Sequence, residues 1–186
     1  MARLPVATRE SVPEDQREVF DEIVSGAGGV VPQTGPNSVT IHVPELAKRI
    51  TSINQYLRNE SSLDKKYQEL SMLVAARAND CQHIWNAHAA SAVAAGVERS
   101  TVDALRESLD LTDLPPDEEV VINFGREFFQ TNRVSRGAYQ AAIEQFGVQA
   151  LVELTLVLGS YAMLAFAVNA FDTDLPSPRI EPLLPV

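Results

Sequence analysis

The sequence predicts an all-α protein, and three observations carry that expectation. Apolar residues recur at steps of three and four in segment after segment. No stretch sustains the apolar/polar alternation of a strand. Gly, Pro, Ser and an Asn79–Asp80 pair punctuate the chain where helices would start and stop. The 186 residues are 45% apolar and 22% charged, a globular composition with ample material for a core, and one domain over 1–186 is expected.

Charge and cysteine content exclude several function classes. Fifteen Lys and Arg against 25 Asp and Glu give a net charge of −10, with no basic cluster, so no nucleic-acid partner is expected. One cysteine allows neither an internal disulfide nor a zinc site built on several thiolates. Gly26, Gly28 and Gly29 follow no strand and do not form a phosphate-cradling pattern. The first residues hold charge and proline and show no signal-peptide core. The uncharged stretch 154–171 is long enough to span a bilayer, but it contains Thr155, Gly159, Ser160, Tyr161 and Asn169 and has no basic anchors. A buried helix, no membrane partner and a cytoplasmic location are therefore expected.

Along the chain, Ser11, Pro13 and the acidic pair Glu14 and Asp15 read as the start of a first helix, which Gly26 ends. An ordered loop is expected over 26–43. A helix from Pro44 should present Leu46, Ile50, Ile53 and Leu57 on one face, and Ser61 and Ser62 should cap the next, over 63–79. The Asn79–Asp80 turn then makes a hairpin with a helix over 81–95. Shorter helices are expected at 103–108 and 117–131, with a loop over 109–116 between them. Ser135 should cap a seventh helix ending at Gly147, and the apolar segment 148–171 forms an eighth. The tail 173–186, with Pro176, Pro178, Pro182 and Pro185, should lie along the surface or a neighbouring subunit.

The hairpin concentrates the reactive side chains. At about 100° per residue, Cys81, Ile84, Trp85 and His88 share one helix face, whereas His83 points elsewhere. Glu69 lies eleven residues before Asp80 and His88 eight after it, so an antiparallel hairpin brings them to similar heights. A carboxylate beside an imidazole is an acid–base couple. A lone helical histidine or a buried Glu–His pair is also common as plain structure, and Cys81 alone is more often a small buried hydrophobe than a nucleophile. His83 and His88, five apart, do not suit a metal, and none is expected.

The segments Leu63–Asp64, Glu69-Leu-Ser-Met-Leu-Val-Ala-Ala-Arg77, Trp85-Asn-Ala-His88 and Ala94-Ala-Gly96-Val97 resemble the carboxymuconolactone decarboxylase/AhpD-like superfamily. Gly35-Pro36-Asn37, Pro44-Glu45-Leu46-Ala47 and Val152-Glu153-Leu154 with Gly159, Tyr161 and Asn169 extend the likeness. The resemblance implies a bundle of about eight helices around the hairpin and a homo-oligomer, a trimer or hexamer, with the site near an interface. The family's peroxidase-type members carry Glu-x11-Cys-x2-Cys-x3-His. Glu69, Cys81, His83 and His88 occupy matching positions, but Ile84 replaces the second cysteine, which removes thiol–disulfide cycling within one subunit. The decarboxylase-like branch reads Tyr-Glu-Trp-x2-His, where this chain has His83-Ile84-Trp85. The expectation is a cofactor-free, decarboxylase-like enzyme acting on a small organic acid or lactone. Glu69, His88, Cys81 and His83 are its candidate catalytic residues. Trp85, Ile84, Arg77, Tyr161, Pro36 and Asn37 are its candidate substrate contacts, with Arg49 a further possible cation. The alternatives are AhpD-type hydroperoxide reduction through Cys81 or a non-catalytic binding oligomer.

Overall fold

The computed structural model describes residues 2–109, 114–175 and 178–186, and among these there are helices and no strands. A 3-10 turn, Glu14–Gln16, leads into α1, Arg17–Gly26. Ser11 does not cap that helix. Its hydroxyl accepts from Thr8 N–H at 2.9 Å and donates back to the Thr8 carbonyl, closing a local turn. The expected loop over 26–43 contains a short helix, α2, Gly35–Thr40, begun by proline at its first turn. α3, Pro44–Gln55, follows and widens into a π-helical turn, Tyr56–Glu60. Its buried side is Pro44, Ala47 and then Leu57, while Leu46 and Ile53 are about half exposed. The apolar steps of four and three therefore mark only part of the packed face.

α4, Lys65–Ala78, is capped by Asp64, whose side chain accepts from Lys66 N–H at 2.9 Å, and not by the two serines before it. Every residue from Gln68 to Ala76 is buried, so α4 is enclosed on all sides, a central helix rather than an amphipathic one. α5, Gln82–Ala94, returns against it after Asp80, which takes a left-handed conformation. α6, Arg99–Arg106, begins earlier than expected, and part of the loop after it, 110–113, lies outside the described residues. α7, Pro116–Thr131, and α8, Arg136–Phe171, complete the wrapping of α4. Lys66 ties α4 to α7 by reaching Asp117 at 2.7 Å and the fully buried Glu118 at 3.0 Å, and Thr101 of α6 donates to Glu118 at 2.9 Å.

α8 is two helices joined at Gly147, whose backbone (φ 71°, ψ 177°) is non-helical. Ser135 caps the first, accepting from Ala138 N–H at 3.2 Å. The whole is long and apolar enough to cross a membrane by length and composition, and half of its most apolar window is buried within the bundle. Of the tail, residues 178–186 lie on this chain's own α5 and α6, and Pro176 falls outside the described residues. The Gln82 amide brackets Leu184, accepting from its N–H at 2.7 Å and donating to its carbonyl at 2.9 Å, and Leu184 itself is buried.

Candidate active site

Where α4 and α5 cross, Glu69 and His88 meet. His88 Nδ1 and Glu69 Oε2 are 2.7 Å apart, with the residues 9% and 1% exposed. Burial works against the Glu69 charge, but His88 and then Lys65 outweigh it and hold the carboxyl below its ordinary 4.5. An ionised carboxylate can only accept, so His88 Nδ1–H donates to it, which in the neutral ring leaves the lone pair on Nε2. Two cations flank the other carboxylate oxygen: Lys65 Nζ at 3.2 Å and Arg58 Nη2 at 3.8 Å from Oε1. Tyr161 of α8 stands edge-on to the imidazole, with ring centroids 5.1 Å apart at 84°. Burial, with Glu69 adding to it and Arg58 opposing it, pushes the Tyr161 phenol up to about 12. The phenol therefore remains a proton-bearing donor over the physiological range.

Trp85 and Ile84, at 1% and 2% exposure, are buried one turn before His88, and the Trp85 indole N–H has no hydrogen-bond partner among the described residues. Cys81 is the N-cap residue of α5 and is fully buried. Burial pushes its thiol up from 9.0, against the backbone N–H groups of Ile84 and His83, which favour the thiolate. His83 is half-buried. Burial and then the neighbouring His88 lower its pKa, while the Asp174 backbone acts the other way. A Cβ on Gly35 would sit 2.3 Å from His83 Nε2, so the glycine at the start of α2 is what lets this ring occupy its place.

Other sequence candidates fall elsewhere. Arg77 turns away from the Glu69–His88 pair because α4 carries it past the crossing to the hairpin turn. There it holds Asp80, Ser108 Oγ at 2.8 Å and the Pro185 carbonyl at 3.3 Å, and it lines a separate cavity of about 490 Å³ with Arg126, Leu105 and Phe129. Arg49 is spent on Glu45 at 3.3 Å. Pro36 is half-buried and Asn37 exposed on α2, and it is their neighbour Gly35 that reaches the hairpin, through His83. No group of three or more His, Cys, Asp and Glu able to hold a metal occurs among the described residues.

Three residues that were not candidate site residues take part: Arg58, Lys65 and Glu153. Lys65 precedes Glu69 by four residues, a helical ion-pair spacing that was there to be read. Arg58 had no such signal, because it sits on a π-helical turn outside the 3.6-residue period. Glu153, only 3% exposed, accepts from Tyr56 Oη at 2.9 Å, Ser62 N–H at 2.8 Å, Ser62 Oγ at 2.7 Å and Gln149 Nε2 at 3.2 Å. It thereby clamps both ends of the turn that carries Arg58.

The helical bundle around this hairpin has known counterparts in fold. Residues 44–121 match the Carboxymuconolactone decarboxylase family. No curated protein matches it in sequence. Among solved structures it is similar to an uncharacterised peroxidase-related protein from Silicibacter sp. TM1040 (TM-score 0.71, 18% identity, 96% of this chain and 93% of that one covered). An uncharacterised peroxidase-related protein with an alkylhydroperoxidase AhpD core, from Ralstonia eutropha JMP134, is similar to the same degree (TM-score 0.71, 18% identity, 95% and 93% covered). So is the debrominase Bmp8 in complex with 2,3,4-tribromopyrrole (TM-score 0.69, 13% identity, 95% of each chain covered). At these identities the likeness is one of fold.

Proposed function

We propose that this chain is a cofactor-free acid–base enzyme of the decarboxylase-like branch, acting on a small organic acid or lactone. The observation that carries the reading is the 2.7 Å contact between His88 Nδ1 and Glu69 Oε2, both of them buried. Glu69 fixes the imidazole's tautomer and stabilises its protonated form, and His88 Nε2 exchanges a proton with substrate. When carbon dioxide leaves a carbon next to a carbonyl, the electrons of the broken bond remain as an enolate. One proton, taken up from solvent by the imidazole and delivered from Nε2, completes the product. The Tyr161 hydroxyl supplies a hydrogen bond to the enolate oxygen, and Trp85 and Ile84 keep the site dry.

The test is turnover of carboxylated γ-lactones by the purified protein. His88→Ala and Glu69→Ala each lower kcat/KM by about 100-fold or more while the helical circular dichroism is retained. Full activity in either variant removes the mechanism.

A thiol-based reading is favoured by one feature, the two backbone N–H groups directed at Cys81 Sγ. Its burial opposes that feature, so iodoacetamide labels Cys81 slowly below pH 8 under the acid–base reading. Rapid labelling at neutral pH would restore hydroperoxide reduction as the activity.

A further inference from the structure

Resting on that reading, we propose that Arg58 is the anion-recognising, specificity-determining residue of the site, aimed at the Glu69–His88 pair by the π-helical turn that Glu153 clamps. Glu69 is already served without it, since Oε2 receives His88 and Oε1 has Lys65 at 3.2 Å. At 3.8 Å, Arg58 is too distant to hydrogen-bond the carboxylate, and its side chain is 42% exposed. Among the described residues its other polar neighbour is the Tyr161 phenol. Most of a planar fork of five donors, shaped to hold a carboxylate in two parallel hydrogen bonds, is thus unused beside the imidazole. Around the pair two cations face one carboxylate, a local positive excess in a chain of net charge −10.

The arrangement is also expensive to hold. A π-helical turn is rare, and here a buried carboxylate, Glu153, is committed to fixing its first residue, Tyr56, and Ser62 two residues past its end. The turn packs Leu57 into the core and leaves its neighbour Arg58 outside it, beside the Glu69–His88 pair.

The probes are 5-oxotetrahydrofuran-2-carboxylate and its methyl ester, titrated into the full chain by calorimetry and by the fluorescence of Trp85, the sole tryptophan. The wild type binds the carboxylate at least tenfold tighter than the ester, and 0.5 M NaCl narrows the gap. Arg58→Gln removes most of that preference with ester binding unchanged, Arg58→Lys keeps part of it, and Tyr56→Phe, which drops one clamp bond, weakens it. A wild type with no carboxylate preference, or a preference surviving in Arg58→Gln, overturns the proposal. His88→Ala separates the two claims: its carboxylate preference persists even if turnover proves independent of His88, so acid–base catalysis can fail while anion recognition stands.

Discussion

Glu69 illustrates how one buried charge serves both stability and chemistry. Its carboxyl is held below 4.5 by His88 and Lys65 in spite of burial, so the folded state binds its proton less readily than the unfolded chain does. The resulting stability is present above the unfolded-state pKa and is lost as pH falls through the lower folded-state value. Equilibrium unfolding in urea from pH 7 down to pH 3 therefore shows a loss of stability on the acid side that is smaller in Glu69→Gln. An identical slope in both proteins contradicts the assignment. Removing the carboxylate at pH 7 has its own cost, because Lys65 and His88 then face a neutral group. The pairing of Glu69 with His88 was within reach of the sequence because both residues lie on regular helices joined by a short turn. The roles of Arg58 and Glu153 were not, because they arise from tertiary contacts 11 and 91 residues away in sequence.

At the scale of elements, the helices with clear stop signals were legible and the irregular joints were not. The Asn79–Asp80 turn and the end of α5 lie where the residue types place them, since Asp80 and Gly96 accept positive φ. The short α2 was missed because Gly, Pro, Asn and Thr read as loop, although Pro36 is well placed in a first helical turn. Leu46 and Ile53 misled for a different reason: apolar spacing tells which residues share a face but not what covers it. Gly147 marks the break in α8 as expected, and its φ of 71° with ψ of 177° belongs to a region that only glycine adopts readily. A Cβ there would meet nothing within 4 Å, so Gly147→Ala costs about 1–3 kcal/mol through the backbone alone, measurable by urea denaturation. An unchanged stability would mean that the two halves of α8 can run on as one helix.

For the whole molecule, the exposed side of α8 poses the main question. Val148, Val152, Leu156, Met163 and Phe166 are 43–72% exposed, and at about 100° per residue they fall within one stripe, with Gly159 between them. An apolar surface of that kind on an acidic chain fits contact with further copies of it, which is our proposal for the partner. Light scattering on the eluted protein then gives a mass several times 20.3 kDa, and Leu156→Lys with Phe166→Lys lowers it to that of one chain. A monomeric wild type contradicts the proposal. The proposed chemistry depends above all on the couple at the hairpin. Nitrogen-15 NMR of the labelled histidines, assigned with His88→Ala, reads it directly. The predicted result is that the neutral His88 ring carries its proton on Nδ1, with the Nδ1 signal shifted in Glu69→Gln. A neutral ring protonated on Nε2 instead, or one indifferent to Glu69, contradicts the central claim.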